Sequence, residues 1–558
     1  MRYALALLVV MLLGGCATTL PSVPPGPVSQ PLEAHRYQVE IPTHDGLMLT
    51  ATVYQPALAS GDTAPVIIAT HGFGGFRAKR PFSIYGKTML TGQAAIAAWR
   101  QGYWVVFYDQ RGFGGSDGKV HMMSPDHEVR DVSSVIDWTL AHLPAIRTLA
   151  DGRPALGMIG ESYGGGAQIL GSIRDDRLAA LVPIATWYDL ADGFAPHDHV
   201  RSQWGAHLFT LGTFSSGFDF GMAVKKPFRS AFGGTLAPDA RRMLRAHSPV
   251  SFCEQGQYPQ ADALLIQGFR DSLFGIEHAQ ANQACFEAGG REARLLAIQG
   301  GHILPWPTQR WSGKPLFNTE DTLTCNGEER PLVDMIVSWW DEKLRDGDTT
   351  VPAFCAALDY DTGMQLGGLP TQTDAFPLSS GAVNIPFAGL FEWLMVPFDV
   401  GSDIFRGFWP GRDLRQLRPN GGGGRPRFVP VYVAERDDEL LLGTPEIDLR
   451  LSGSASRVST RVFVGIGVQH AGKRRVQVAS EQLTPLPAKG LYRESLPPVS
   501  VPLKAGDRVG LVVYGYSWQY AFNPSFWWSR AQLEGALRLP LQEGLEELPL
   551  PALSAATE

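Results

Sequence analysis

Six short apolar runs, Val66–Thr70, Trp104–Tyr108, Leu156–Ile159, Leu181–Ile184, Leu264–Gln267 and Leu295–Ile298, constrain this chain more than anything else in it. A strand that alternates apolar and polar residues covers a core on one face, whereas a run apolar throughout must be covered on both. Amphipathic helical stretches separate or follow these runs, notably Glu128–Leu143, Tyr163–Ile173, Glu277–Ala288 and Leu332–Leu344. Strands alternating with helices predict a mostly parallel α/β sheet with helices on both faces. Tyr37 to Ile41 and Leu47 to Tyr54, joined through His44-Asp45-Gly46, read as a hairpin leading into that sheet.

One connection breaks the rhythm. Between Ile184 and Leu264 the chain is far longer than a loop needs, rich in aromatics such as Trp187, Trp204 and Phe214, and helical over Pro238–Ala246. It predicts a cap, about residues 186–260, folded over the C-terminal edge of the sheet, where open α/β sheets bind ligands. A catalytic domain over 36–345 is therefore expected, followed by an irregular connecting region over 346–427. From Phe428 short β-type alternation takes over, with no clear helix until after Arg530, which predicts an all-β sandwich or jelly-roll domain over 428–545. Phe387–Trp409, inside the irregular region, is crowded with apolar residues and is expected to pack between domains.

The sequence G-x-S-x-G occurs twice, so context must separate the two. Gly114-Gly115-Ser116-Asp117-Gly118 runs on into Lys119-Val120-His121 with no helix. Gly160-Glu161-Ser162-Tyr163-Gly164 lies between an apolar strand and a Gly/Ala-rich helix start, the strand–turn–helix setting of a nucleophile elbow. A serine hydroxyl needs a base, and the base needs an anion to hold its tautomer. Asp271 follows the strand Leu264–Gln267 and His302 follows Leu295–Ile298, both past strand C-termini in the order Ser, acid, His of an α/β-hydrolase. The expected triad is Ser162, Asp271 and His302. The expected oxyanion donors are the backbone N–H of Tyr163, at a helix N-terminus, and that of Phe73, in His71-Gly72-Phe73-Gly74-Gly75.

These motifs carry a resemblance. Thr43-His44-Asp45-Gly46, the stretch Tyr108-Asp109-Gln110-Arg111-Gly112-Phe113-Gly114-Gly115-Ser116-Asp117-Gly118, and Gly157-Met158-Ile159-Gly160-Glu161-Ser162-Tyr163-Gly164-Gly165 together resemble the Xaa-Pro dipeptidyl-peptidase and bacterial cocaine-esterase (CocE/NonD-like) family. The resemblance spans about residues 37–345 and implies an α/β-hydrolase fold with a C-terminal jelly roll. It carries Ser162, Asp271 and His302 over as the triad. Members often donate a Tyr hydroxyl to the oxyanion after the strand matching Val66–Thr70, whereas Phe73 has none, which favours its backbone N–H.

The N-terminus resembles the leader of a bacterial lipoprotein. Arg2 precedes the apolar stretch Ala4–Leu13, and Leu13-Gly14-Gly15-Cys16 resembles a lipobox. The resemblance implies a signal peptide over 1–15, lipidation of Cys16, a tether over 16–35, and a place in the bacterial envelope at the outer membrane, since Ala17 is not Asp. In an exported protein Cys253, Cys285, Cys325 and Cys355 allow three pairings, and Cys253–Cys285 with Cys325–Cys355 is the expected one. A net charge of −7 gives no footprint for nucleic acid. No C-x-x-C, H-E-x-x-H or G-x-G-x-x-G after a strand calls for a metal or nucleotide cofactor, and His197-Asp198-His199 reads as a solvated loop. The expected function is hydrolysis of a small ester or peptide through an acyl-enzyme. A non-catalytic surface-binding lipoprotein and an acyltransferase using the same site are the alternatives.

Overall fold

The computed structural model describes residues 27–83, 86, 89–217, 221, 225, 234–302, 322–359, 361–385, 426–453, 461–515, 517–520 and 529–543. The N-terminal leader with Cys16 and the apolar stretch 387–409 lie outside the described residues. The strands are β1 (His35–Pro42), β2 (Met48–Gln55), β3 (Val66–Ala69), β4 (Trp104–Tyr108), β5 (Leu156–Glu161), β6 (Leu178–Ile184), β7 (Asp262–Gly268), β8 (Ala293–Ile298), β9 (Thr322–Cys325), β10 (Glu328–Pro331), β11 (Phe354–Ala357) and β12 (Gly363–Gln365). All but the β9–β10 hairpin join one ten-stranded sheet in the order β1-β2-β4-β3-β5-β6-β7-β8-β11-β12. Its centre, from β4 through β11, is parallel, and antiparallel β1, β2 and β12 close the edges.

The apolar runs are explained by two cores, one on each face. Alternate residues of each strand point opposite ways, so Val66 and Ile68 of β3 pack with Val132, Ile136 and Leu170 of the helices Glu128–His142 and Tyr163–Arg174. Ile67 and Ala69 pack with Ala95 and Trp340 of the helices Leu90–Arg100 and Leu332–Arg345 on the other face.

Between β6 and β7 the described cap holds the helices Leu190–Phe194, Ser202–Ser215, Pro238–Ala246 and Pro249–Cys253. Cys253 is joined to Cys285, and Cys325 to Cys355, as the neighbour pairing expects. The C-terminal domain is antiparallel. One sheet surrounds Ser529–Leu539, a second surrounds Arg508–Tyr514 and Arg461–Gln469, and Leu440–Gly443 lies between two short strands. Leu449 and Leu533 of the first sheet share a core with Val464 and Leu511 of the second.

Three expectations are corrected here. The region 346–427 is not wholly irregular: β11 and β12 extend the hydrolase sheet, and Asp374–Ser379 and Val383–Ile385 pair with Ser529–Leu539. Strands of three to six residues are too short to show a period. The stretch after Arg530, rich in Leu, Ala and Glu, is a strand flanked on both sides, so pairing overrides helix propensity. His197-Asp198-His199 is not wholly a solvated loop, because His199 is fully buried against the rings of Tyr520 and Phe463, at 5.6 and 5.8 Å. Burial pushes its imidazole down to about 3, so it stays neutral.

Candidate active site

Ser162 caps the N-terminus of the helix Tyr163–Arg174, with φ 50° and ψ −110°, a backbone conformation that L residues seldom adopt. Two glycines make the sharp turn feasible. A Cβ on Gly160 would lie 2.7–2.8 Å from the Gly164 backbone, and one on Gly166 would lie 2.3 Å from the Trp187 ring. The Ser162 N–H donates to Ile184 O at 2.8 Å and the Thr186 hydroxyl donates to Ser162 O at 2.9 Å, so the strained residue is fixed on both sides.

The other two residues arrive on loops past β7 and β8. His302 Nε2 lies 2.9 Å from Ser162 Oγ, and His302 Nδ1 lies 2.9 Å from Asp271 Oδ2. A carboxylate only accepts, so Nδ1 carries the proton and Nε2 faces the serine as an acceptor. Asp271 is fully buried and its charge is met by four donors. The Leu273 and Phe274 N–H groups bond Oδ1, and Gln267 Nε2 joins His302 on Oδ2, all at 2.9 Å. His302 is 9% exposed, and its ring is held edge-on by Trp204 at 4.9 Å and Phe274 at 5.2 Å. Trp204 belongs to the cap and is itself tied by Nε1 to Ser272 Oγ at 3.0 Å.

The expected oxyanion residues meet beside the elbow. Tyr163 is the first residue of its helix, so its N–H has no intrahelical acceptor. The Phe73 ring packs at 5.4 Å on the Tyr163 ring and at 5.2 Å on Phe113. His71 is fully buried and structural: its Nδ1–H donates to Gly72 O and its Nε2 accepts the Gln110 N–H. Burial lowers its basicity, in keeping with a neutral ring. Ser116 stays a turn residue, donating to Asp109 O at 2.6 Å and accepting the Thr50 N–H at 2.9 Å.

Sequence reasoning passed over two buried acids. Glu128 accepts the Tyr163 hydroxyl at 3.1 Å and the Ser124 N–H at 2.9 Å, and burial pushes it up to about 7. Glu161 accepts the Gly72 N–H at 3.1 Å and the Thr91 hydroxyl, and burial pushes it up to about 8. The available signal for Glu161 was an acid at the end of an apolar strand. One cluster has the composition of a cation site, His44, Asp45 and Asp131. The Arg111 guanidinium already sits between the two carboxylates, at 2.6–3.2 Å from each, and supplies the positive charge.

Residues 45–303 match the X-Pro dipeptidyl-peptidase (S15 family) model. The chain is 28% identical over 256 residues to an uncharacterized 31.7 kDa protein of the traX-finO intergenic region of Escherichia coli, covering 46% of this chain and 77% of that one. Among solved structures, an α-amino acid ester hydrolase superposes with TM-score 0.63 at 14% identity, over 95% of this chain and 100% of that chain. A CocE/NonD family hydrolase from Staphylococcus aureus gives 0.60 at 12% identity, over 92% and 94%. An aminopeptidase from a marine sediment Thaumarchaeota archaeon gives 0.60 at 15%, over 91% and 96%. At these identities the structures speak for a shared fold, an α/β-hydrolase domain followed by an antiparallel β domain.

Proposed function

We infer, from residues 45–303 being an α/β-hydrolase of the S15 and CocE/NonD kind, that this protein cleaves acyl esters through an acyl-enzyme formed on Ser162. The observation that carries the reading is the unbroken relay Asp271–His302–Ser162, with both links at 2.9 Å. Ser162 Oγ attacks the carbonyl as His302 Nε2 takes its proton. The Tyr163 and Phe73 N–H groups receive the charge that develops on the carbonyl oxygen, and His302 returns the proton to the leaving group. Water then repeats the sequence on the acyl-enzyme. Asp271 keeps the proton on Nδ1 and stabilises the imidazolium, without itself taking a proton.

An ester is favoured over a dipeptide by what surrounds the relay. A dipeptidase must neutralise a free α-amino group. Of the six cap carboxylates, Asp189 and Glu254 are paired with Arg245 and Asp198 with Arg241, Asp192 and Asp239 are exposed, and Asp219 lies outside the described residues. Trp204 and Phe274 instead give the His302 side an aromatic wall. A purely binding protein would have no need to keep all three relay residues in register.

We place the protein at the bacterial envelope, anchored by a lipid on Cys16. The lipobox-like Leu13-Gly14-Gly15-Cys16 supports this, and so do two disulfides, which suit an oxidising compartment. Among the described residues no helix is long and apolar enough to cross a membrane.

The test combines a fluorophosphonate probe with p-nitrophenyl esters and Gly-Pro-anilide. Wild type and Ser116→Ala are expected to label and to turn over the esters, and Ser162→Ala to do neither. Labelling of Ser162→Ala, or Gly-Pro release without ester turnover, would overturn the reading.

A further inference from the structure

Glu161 stands one residue before Ser162, and Gly72 one residue before Phe73, and the two are joined. Glu161 Oε1 accepts the Gly72 N–H at 3.1 Å, while Oε2 is bonded by the hydroxyl of Thr91, a buried residue in the first turn of the helix Leu90–Arg100. Gly72 also packs flat against this side chain, since a Cβ placed on it would lie 3.5 Å from Glu161 Cγ. The carboxyl thus bridges the elbow to the loop after β3, two backbone segments 89 residues apart.

We propose that Glu161 is a positioning residue, whose carboxyl fixes the Gly72–Phe73 backbone so that the Phe73 N–H is aimed at the oxyanion formed on Ser162. The proposal rests on the reading of Ser162 as nucleophile and Phe73 as oxyanion donor. Phe73 brings no side-chain hydroxyl, so its contribution depends wholly on where its backbone points. Misdirecting a donor by even a fraction of an ångström weakens it where a preorganised one counts most.

The bridge works with a neutral carboxyl. A protonated Glu161 accepts the Gly72 N–H on Oε1 and donates from Oε2 to the Thr91 hydroxyl oxygen, whereas the ionised form accepts from that hydroxyl. Among the described residues no cation is bonded to it. Across Gly72 the His71 imidazole is buried, with its basicity lowered, and behind it Arg77 and Asp109 are paired with each other. On the far side of Ser162, His302 is paired with Asp271. Burial holds the Glu161 proton up to about pH 8. Above that, an ionised carboxylate beside the developing oxyanion opposes it.

The test is steady-state ester hydrolysis from pH 6 to 10 by wild type, Glu161→Gln and Glu161→Ala, with end-point fluorophosphonate labelling as a count of competent Ser162. Glu161→Gln keeps both hydrogen bonds and does not titrate. It should hold kcat within about threefold of wild type at pH 7 and lose the wild type's decline above about pH 8. Glu161→Ala should lower kcat about 10- to 100-fold with KM little changed, while still labelling to completion. Equal kcat in Glu161→Ala, or an unchanged alkaline decline in Glu161→Gln, overturns the proposal. If Glu161→Ala does not fold, the Glu161→Gln profile decides alone. Failure of wild type to label would instead sink the nucleophile assignment, so the two failures are distinct.

Discussion

Replacing Asp271 by Asn tests the relay at its least replaceable point. Asp271 accepts four hydrogen bonds, two on each oxygen, and Asn offers one accepting oxygen. The Leu273 and Phe274 N–H groups are backbone and cannot rotate away, so the amide oxygen must take their side. The Asn NH2 then faces Gln267 and His302. Gln267 cannot flip to accept it, because its Oε1 already accepts the Thr186 N–H at 3.2 Å and its Nε2 donates to Phe274 O at 2.6 Å. His302 is driven to accept at Nδ1, which moves its proton to Nε2, against Ser162 Oγ, where it can no longer take one. Loss of the correct tautomer in such a relay costs about 10⁴-fold in kcat, or about 5.5 kcal/mol of barrier. The buried Gln267 donor left facing another donor costs a further ~1–3 kcal/mol of folding stability. KM should stay within about threefold, since Asp271 is fully buried behind His302. The assay is p-nitrophenyl butyrate hydrolysis at saturating and subsaturating substrate, with thermal unfolding of the same preparations. A kcat within tenfold of wild type, or a loss confined to KM, would refute the reasoning.

Two further outcomes follow from packing. Gly166→Ala should destabilise the protein by about 1–3 kcal/mol and depress kcat, because its methyl must displace the buried Trp187 ring from 2.3 Å away; denaturant unfolding that leaves the midpoint unmoved would contradict it. Cys253→Ser with Cys285→Ser opens a loop with a sequence separation of 32 residues, and should cost about 3–4 kcal/mol by loop-closure entropy, seen as a lower Tm that reductant, which also breaks Cys325–Cys355, lowers further.

The parts legible in the sequence are those where one physical rule acts alone. A strand buried on both faces has to be apolar throughout, so β3 to β8 announced themselves, and the order of the loops past their ends brought Ser162, Asp271 and His302 to one rim. What escaped depends on partners distant along the chain. β11 and β12 are too short to carry a period and exist because β8 presents an edge to pair with. His199 is polar and follows two other polar residues, yet it is buried because the C-terminal domain brings Tyr520 and Phe463 over it. Glu161 ends one apolar strand and Gln267 lies within another, and only the folded chain reveals that Gly72 and Asp271 satisfy them.

The same dependence on distant partners gives the cap and the β domain a role in the site. The loops carrying Asp271 and His302 have little regular structure of their own, although relay chemistry tolerates displacements of well under an ångström. They are held from outside. On the cap side Arg201 donates to Ser272 O, and Trp204 both bonds Ser272 Oγ and backs the His302 ring. On the β-domain side Gln482 donates to Phe269 O at 3.2 Å, and Glu481 pairs with Arg270 at 3.3 Å, a buried acid facing a largely buried base. Glu481 is itself placed by Gln519, which donates to its carbonyl at 2.7 Å. Near His302, Gln299 donates to Ala357 O at 3.0 Å and, across the domain boundary, to Ser500 O at 3.3 Å. Each of these three β-domain fastenings, at Phe269, Arg270 and Gln299, reaches a loop residue within three positions of Asp271 or His302. The antiparallel domain therefore acts as a buttress that keeps the loops carrying Asp271 and His302 in register.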